Sequence, residues 1–426
     1  MIERPLYLEK LIRKMNNDQV KVITGSRRVG KSFLLFEIFH DYLNSVGVDD
    51  AHIIELSLED DINAQYRNPL KLGEYVRELI IDDGKTNYVF LDEIQKVAEI
   101  KNPYVDNSSE KITFVDTVLG LMKIKNVDLY ITGSNSRMLS KDILTEFRGR
   151  GDEIRVLPLT YKEYYNAYSG DKNNALRDYM TYGGMPYLMS LETHEDKNTY
   201  LSSLFDNIYI RDILDRHNIG YDKVVLDVLL DILASSIGSL TNPLKLSNTF
   251  NSVAKIQIGD DTITKYLEYF SESFLINCVS RFDIKGRKHI GSPYKYYYTD
   301  LGLRNARLNF RQIEYNHIME NAIYNELIAR GYSVNVGNVT MHGKDENGKS
   351  FRKQLEVDFV ATNVDKTYYI QSAYSIESEE KRLQEINSLK RISDSFEKIV
   401  VVKDNIIPWH DENGIQYIGL QDFLLK

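Results

Sequence analysis

The feature that most constrains the fold of this chain is a loop bounded by glycines at Gly25–Ser32, which reads Gly-Ser-Arg-Arg-Val-Gly-Lys-Ser. The G-x-x-x-x-G-K-S pattern lets backbone N–H groups converge on a phosphate, while the lysine reaches the β and γ oxygens and the hydroxyl binds Mg2+. An apolar run precedes the loop and an amphipathic segment follows it, which predicts strand, loop and helix in that order. The sequence therefore predicts ATP and Mg2+ as cofactors. The predicted nucleotide contacts in the loop are Gly25, Ser26, Arg27, Arg28, Val29, Gly30, Lys31, Ser32 and Phe33.

A second motif lies at the end of the apolar segment 85–93, which closes on Asp92 and Glu93. An aspartate at such a strand end holds Mg2+ together with Ser32, and the following glutamate polarises the attacking water. Taken alone, an apolar run ending in acids is more often a plain exposed strand end. Together with the upstream loop it predicts hydrolysis, with Ser32 and Asp92 on the metal, Glu93 as the base and Lys31 on the phosphates.

Two further polar groups follow the predicted strand 127–132. Ser134 and Asn135 can orient the lytic water, although a Gly-Ser-Asn turn after a strand is the simpler interpretation when taken alone. Arg148 and Arg150 lie in a glycine-flanked turn and are candidate arginine fingers for the transition-state charge. An arginine-rich surface loop is the rival interpretation of that turn.

Composition limits the remaining possibilities. A length of 426 residues predicts two to four domains, and the single cysteine excludes an intramolecular disulfide framework. The absence of a long apolar run predicts no membrane span and, with no signal-peptide pattern at the start, a cytoplasmic protein. The net charge of −9 argues against a protein that coats nucleic acid, but it leaves room for a local basic surface.

Residues 1 to about 225 resemble the AAA+ superfamily, on the motifs above and on the N-terminal run Arg-Pro-Leu-Tyr-Leu at 4–8. The whole chain resembles a prokaryotic group that pairs an archaeal or bacterial ATPase domain (AAA_14) with a DUF4143 region. That resemblance implies an α/β fold with a P-loop NTPase core at 1–157 and a helical lid at 158–222. It also implies that the segment from Arg4 to Leu11 lies near the adenine, which makes Tyr7 a nucleotide contact, and that Ser134 and Asn135 occupy the sensor-1 position.

The segment 223–312 predicts a winged-helix domain, because helical patterns at 225–237, 244–253 and 260–270 precede two strand-like runs at 275–282 and 295–300. The candidate DNA contacts are Thr262, Thr264 and Lys265 at the start of the third helix, and Lys285, Arg287 and Lys288 between the strands. A wing that packs on the ATPase core or on a partner protein is the alternative.

The segment 313–426 resembles the PD-(D/E)xK nuclease fold, a restriction-endonuclease-like α/β domain, with Glu320 on a helix and Asp358 on a strand. The acid-x-lysine position instead holds Gln371 and Ala373, and an alanine cannot stabilise developing charge. The prediction is therefore an inactive site at Glu320, Asp358 and Gln371. A migrated lysine such as Lys353 would restore activity, and an ordinary α/β scaffold would equally lack cleavage.

Three functions follow from these patterns. The first is an ATP-hydrolysing switch or motor that couples turnover to binding or remodelling of duplex or branched DNA. The second is a signalling or scaffolding ATPase that controls a protein partner, and the third is an active ATP-dependent nuclease. An arginine finger acting between subunits predicts a homo-oligomer, whereas one acting within the chain permits a monomer or a dimer.

Overall fold

The computed structural model describes residues 2–106, 109–133, 147, 149–210, 213–214, 223–311, 314–344, 350–376 and 378–426. The chain forms two compact units, Met1–Leu157 and Pro158–Lys426. Every helix among the described residues is too short or too polar to cross a bilayer.

A parallel five-stranded sheet forms the centre of the first unit, in the order β2-β3-β6-β1-β7. Its strands are β1 (Val20–Thr24), β2 (Ile53–Ser57), β3 (Asn87–Asp92), β6 (Val127–Thr132) and β7 (Gly151–Arg155). Both faces of a parallel sheet are covered, which fits the mostly buried residues of β1, β3 and β6. The edge strand β7 is polar, with only Ile154 buried. The strands that the sequence predicted before the phosphate loop, within 85–93 and at 127–132 are confirmed as β1, β3 and β6. A separate two-stranded ladder joins β4 (Ile100–Lys101) to β5 (Lys111–Ile112).

The helices of the first unit cover this sheet and bury a core of aliphatic side chains around β1, β3 and β6. They are α1 (Pro5–Lys14), α2 (Lys31–Phe33), α3 (His40–Ser45), α4 (Pro69–Leu79) and α5 (Phe114–Leu121). A π-helical stretch, Leu34–Phe39, joins α2 to α3, and short 3-10 helices span Asp50–His52, Asp61–Arg67 and Ile94–Lys96. Helix α5 begins with a capping box in which Thr113 and Asp116 bind each other's backbone N–H groups.

The second unit begins with helical segments. They are α6 (Tyr161–Ala167), α7 (Lys172–Tyr182), a 3-10 helix (Pro186–Ser190), α8 (His194–Leu204) and a π-helical stretch (Phe205–Ile210). Three helices follow at the places the sequence predicted, namely α9 (Lys223–Ser235), α10 (Pro243–Ala254) and α11 (Asp260–Glu272). The later helices are α12 (Leu301–Arg307), α13 (Tyr315–Ala329), α14 (Glu379–Lys390) and α15 (Leu420–Leu425).

A mixed eight-stranded sheet in the order β14-β15-β13-β12-β11-β10-β8-β9 organises the rest of the second unit. Its strands are β8 (Ile276–Asp283), β9 (Lys288–Tyr298), β10 (Ser333–Lys344), β11 (Ser350–Thr362), β12 (Thr367–Ala373), β13 (Glu397–Val402), β14 (Trp409–His410) and β15 (Gln416–Gly419). The predicted strands at 332–336, 354–361, 368–374 and 398–402 are confirmed, and so is the hairpin of β8 and β9.

This sheet corrects the predicted division at residue 312. Strand β8 pairs in parallel with β10, from Arg281 opposite Val336 to Asp283 opposite Asn338. The strands predicted as a separate wing therefore belong to the same sheet as the strands predicted for the C-terminal domain. The sequence could not show this, because the pairing joins segments more than fifty residues apart and no local pattern records which edge a strand takes.

Candidate functional site

The phosphate loop lies between β1 and α2, and its backbone takes conformations that only glycine tolerates well. Gly25 has φ +140° and Gly30 has φ +91°, and a Cβ on Gly25 would lie 2.2 Å from the carbonyl oxygen of Val156. Gly30 in the left-handed region directly precedes Lys31, the first residue of α2. The loop therefore opens onto a helix N-terminus, where backbone N–H groups and the helix dipole favour an anion.

Lys31 is buried at the base of this loop. Its Nζ donates to the carbonyl oxygens of Gly25, at 2.9 Å, and Ser26, at 3.0 Å. Burial lowers the pKa of Lys31 to about 8, although the charges of Glu93 and Asp92 act in the opposite direction. A bound phosphate would favour the charged ammonium of Lys31.

Ser32 and Asp92 meet beside Lys31, as the sequence predicted for a metal site. Ser32 Oγ lies 3.0 Å from Asp92 Oδ1 and 2.9 Å from Oδ2, and donates to the carboxylate. Burial raises the pKa of Asp92, and hydrogen bonds from Thr132 and Ser32 oppose that shift. A hydroxyl and a carboxylate are hard oxygen donors of the kind that bind Mg2+ together with nucleotide phosphates. The pair therefore fits Mg2+ on a bound nucleotide, although the described residues form no group of three or more acidic, His or Cys side chains that could hold a metal.

Glu93 follows Asp92 in a left-handed backbone conformation, with φ 53° and ψ 47°. Its N–H donates to Thr132 Oγ1 at 3.1 Å, and its carboxylate accepts from the side-chain amide of Gln95. A residue that is not glycine costs free energy in this region, and such costs concentrate at functional sites. Glu93 is half-buried, and its charge raises the pKa of both Lys31 and Asp92, so it lies within electrostatic reach of the predicted metal site.

Sequence reasoning missed Thr132, the last residue of β6. Its hydroxyl donates to Asp92 Oδ1 and accepts from the backbone of Glu93, so one side chain holds both acids of the motif. Because β6 lies between β1 and β3 in the sheet, it supplies this contact across strands rather than along the chain. The apolar pattern of 127–132 predicted the strand, but it contained no sign of this role.

Arg4 was also missed as a site residue. Its guanidinium donates to the carbonyl oxygens of Val29, at 3.1 Å, and Leu157, at 2.8 Å, and lies 4.6 Å from the ring centroid of Tyr7. Tyr7 is 1% exposed, and its hydroxyl accepts from the N–H of Leu157 at 3.0 Å. These contacts tie α1 to the tip of the phosphate loop, so Tyr7 supports the loop from within the core, and its contact with adenine stays a prediction.

The remaining predicted residues of this site differ in whether the structure describes them and in how exposed they are. Ser134, Asn135 and Arg148 lie outside the described residues. Arg150 is exposed, and its carbonyl oxygen accepts from Val20 N–H at 3.0 Å, which places it at the start of β7. In the loop itself, Ser26 and Val29 are buried, Arg27 is half-buried, and Arg28 and Phe33 are exposed.

A second polar cluster lies in the second unit, where Glu320 on α13 and Asp358 on β11 come together as predicted. Lys295 on β9, which the sequence did not single out, lies between them. Its Nζ is 2.7 Å from Glu320 Oε1, 2.6 Å from Glu356 Oε1 and 3.7 Å from Asp358 Oδ1. The side chain of Lys295 is only 3% exposed, so a lysine ammonium is the cation that these three carboxylates share.

Charge and burial act against each other in this cluster. Burial lowers the pKa of Lys295, but Glu320, Asp358 and Glu356 outweigh burial and hold that pKa above its usual range. Burial, followed by the charge of Glu320, raises the pKa of Asp358. Three carboxylates around one ammonium carry excess negative charge when all are ionised, and a raised carboxyl pKa relieves that excess.

Gln371 and Ala373 lie where the resemblance requires an acid and a lysine. Gln371 Oε1 accepts from the Asp358 N–H at 3.4 Å, and Asp358 Oδ2 accepts from the Ser372 N–H at 2.8 Å. Ala373 is buried in a core cluster with Tyr369, Ile386 and Leu389. The lysine considered as a migrated substitute, Lys353, is exposed on β11, so it does not take part in this cluster.

The predicted DNA contacts fall on two different surfaces. Lys285, Arg287 and Lys288 are exposed at the turn between β8 and β9. Thr262, Thr264 and Lys265 lie on α11, where Thr264 Oγ1 donates back to the carbonyl oxygen of Asp260. The other exposed charges of α11 are all acidic, at Asp260, Asp261, Glu268 and Glu272. Helix α11 therefore presents a surface of net negative charge.

The parallel sheet, the glycine-bounded loop at a helix N-terminus and the Ser32–Asp92 pair define a P-loop nucleotide-binding protein. A family model described as an AAA domain matches residues 17–165. A second, described as a domain of unknown function (DUF8612), matches residues 173–314, whereas the sequence had suggested DUF4143.

An uncharacterized protein of Haemophilus influenzae is 32% identical over 431 residues, with 100% of this chain and 99% of that protein covered. The chain belongs to the same family as this protein. The uncharacterized protein MJ1544 of Methanocaldococcus jannaschii is 29% identical, with 96% and 86% covered. Among solved structures, the Walker-type ATPase PABY2304 of Pyrococcus abyssi has a TM-score of 0.46 at 15% identity, with 72% of this chain and 96% of that chain covered.

Proposed function

We propose that this protein is a molecular switch or motor that hydrolyses ATP and couples turnover to the binding or remodelling of DNA through residues 158–426. ATP hydrolysis is supported by the arrangement of Ser32, Asp92 and Glu93 near the buried Lys31. The Thr132 hydroxyl bonds both the Asp92 carboxylate and the backbone N–H of Glu93. The coupling to DNA is supported by three exposed cations at the β8–β9 turn, Lys285, Arg287 and Lys288.

The proposed chemistry follows from the side chains. Lys31 exchanges its two loop carbonyls for the β and γ oxygens, and the loop N–H groups surround the phosphates. Ser32 and Asp92 hold Mg2+, which neutralises charge on the β and γ phosphates when bound. Glu93 orients the attacking water and accepts its proton. Ser134, Asn135, Arg148 and Arg150 remain the candidates for completing the site, within one chain or between the subunits of a homo-oligomer.

For the second unit we propose a winged-helix arrangement of α9, α10 and α11 with the β8–β9 hairpin, joined to a nuclease-like sheet that does not cleave. Lys295 occupies the centre of the carboxylate cluster. The ammonium therefore stands where an active nuclease would need a divalent cation. This arrangement favours the switch over an ATP-dependent nuclease.

The experiment that tests this function measures phosphate release from ATP with and without duplex, single-stranded and branched DNA. We expect at least one form of DNA to change the turnover rate of the full chain. The Lys31→Ala variant should release phosphate only at the background rate, because it lacks the cation that binds the phosphates. A turnover rate that no DNA alters would contradict the coupling and favour an ATPase that controls a protein partner. Cleavage of DNA in Mg2+ or Mn2+ that Asp358→Ala abolishes would instead establish the nuclease.

A further inference from the structure

A basic surface on two neighbouring hairpins of the second unit carries an inference beyond the predicted winged helix. We propose that this surface, made of Lys285, Arg287 and Lys288 at the β8–β9 turn and Arg352 and Lys353 on β11, binds the phosphate backbone of a nucleic acid. All five side chains are exposed. The proposal rests on the DNA binding proposed above and assigns the contact to these hairpins in place of α11.

The β10–β11 hairpin reaches beyond the neighbouring strands. Strand β8 pairs with β10 as far as Asn338, whereas β10 and β11 stay paired to Lys344 opposite Ser350. The pairs beyond Asn338 form a two-stranded ribbon about 20 Å long, at about 3.3 Å per residue. A two-stranded ribbon is a shape that the major groove of DNA, about 12 Å wide, admits.

The β8–β9 turn lies at the base of this ribbon. The N–H of Ile284 donates to the carbonyl oxygen of Asn338 at 3.1 Å, and Ile284 shares a buried core with Val339 and Val357. Strands β8 and β10 separate β9 from β11, which puts Lys288 about 14 Å from β11 in the direction across the strands. Lys288 is level with Glu356 through Asp283 and Asn338, and Lys353 lies three residues further along β11, so the two groups of cations lie roughly 17 Å apart. That separation lets both groups contact the backbone of one bound nucleic acid at the same time.

Charge distinguishes this surface from α11. The whole chain carries a net charge of −9, and exposed acids surround Lys265 on α11, so phosphate groups are repelled there. Cations concentrated on two hairpins of an acidic protein are the electrostatic pattern of a nucleic-acid contact. Phe351, which is 39% exposed and shares a face of β11 with Lys353, adds an aromatic ring that suits stacking with an unpaired base.

The test measures binding of the full chain, without nucleotide, to labelled duplex and single-stranded DNA by fluorescence anisotropy over a range of salt concentrations. One variant combines Lys285→Ala, Arg287→Ala and Lys288→Ala, and a second combines Arg352→Ala and Lys353→Ala. A third combines Thr262→Ala, Thr264→Ala and Lys265→Ala on α11. A charge-matched control replaces three exposed lysines of the first unit, Lys71, Lys123 and Lys125, with alanine.

We expect each hairpin variant to weaken binding about tenfold or more at low salt, and to lower the slope of log K against log salt by about one for each lost phosphate contact. The α11 variant and the control should bind as the wild type does. Thermal unfolding that matches the wild type would show that the hairpin variants are folded, as expected for substitutions of exposed side chains.

Hairpin variants that bind as tightly as the wild type would overturn the proposal, as would a wild type that binds anionic lipid vesicles but no nucleic acid. Binding lost in the α11 variant alone would also overturn it, and would leave the DNA coupling intact. Conversely, DNA that binds through the hairpins without changing ATP turnover would contradict the coupling and support this proposal. The nucleic-acid contact of the hairpins and the coupling of DNA to ATP turnover can therefore be refuted independently.

Discussion

At the scale of residues, the site depends on side chains that hold the acids as much as on the acids themselves. Thr132 contacts both Asp92 and the backbone of Glu93, and Arg4 holds the loop through the carbonyl oxygen of Val29. Such supporting contacts fix the orientation of groups that bind metal and water. Their removal should affect turnover without removing any group that touches the substrate.

Replacing Thr132 with valine, which has nearly the same shape, tests this role. The variant loses the hydrogen bond to Asp92 and leaves the N–H of Glu93 without its partner hydroxyl, so we expect kcat to fall about 10- to 100-fold. Nucleotide affinity should change much less. Thr132→Ser keeps the hydroxyl and should retain most of the activity. Wild-type turnover in Thr132→Val would show that the hydroxyl does not position the acids.

The titration of Lys31 gives a prediction for pH. Burial lowers the pKa of Lys31 to about 8, and a bound triphosphate raises it, so binding takes up a proton above that pH. The dissociation constant of a non-hydrolysable ATP analogue should therefore rise by up to about tenfold per pH unit above pH 8. Lys31→Arg stays charged over this range and should show little pH dependence. A wild-type affinity that is flat from pH 7 to pH 9 would contradict the assignment.

At the scale of elements, close contacts between strands, loops and helices determine which substitutions the protein tolerates. The phosphate loop passes so near β7 that Gly25 has no room for a side chain. In the second unit, Lys295 joins three elements, because its partners Glu320 and Glu356 lie on α13 and β11. In each case, we expect one substitution to cause a large loss of nucleotide affinity or of stability.

Gly25→Ala should displace the phosphate loop, because its Cβ would lie 2.2 Å from the carbonyl oxygen of Val156 and its φ of +140° disfavours any side chain. We expect nucleotide affinity to fall about tenfold or more, with a loss of about 1–3 kcal/mol in the free energy of unfolding. Gly47 also has a positive φ but faces open space. Gly47→Ala should cost about 1 kcal/mol and leave nucleotide affinity unchanged. Equal nucleotide affinities in the two variants would contradict this account of the loop.

Lys295→Met removes the ammonium from among three carboxylates and leaves buried negative charge behind. We expect the free energy of unfolding at pH 7 to fall by about 3–5 kcal/mol. The pKa of Asp358, which burial already raises, should lie still further above its unfolded value once the ammonium is gone, so the loss should shrink as the pH is lowered. Denaturant unfolding at pH 7 and pH 5 measures both effects. Lys353→Met, at an exposed lysine of β11, should change stability by no more than about 0.5 kcal/mol, and an equal loss in both variants would refute the cluster's role.

At the scale of the whole molecule, sequence reasoning found the elements but not all of their neighbours. Residues Lys31, Ser32, Asp92 and Glu93 were predictable because their motifs are local and parallel strands end at one edge of the sheet. Lys295 was not, since its contacts depend on which strands pair in the second sheet. The pairing of β8 with β10 likewise joins segments that the sequence assigned to separate domains, and this shared sheet places two basic hairpins side by side.

The central claim is that ATP is hydrolysed at this site with Glu93 acting on the water. The direct measurement compares the wild type with Glu93→Gln for both ATP affinity and phosphate release at saturating ATP and Mg2+. We expect Glu93→Gln to bind ATP about as tightly as the wild type and to lose turnover, because the amide keeps the shape but cannot accept the proton. Normal phosphate release by Glu93→Gln would contradict the account.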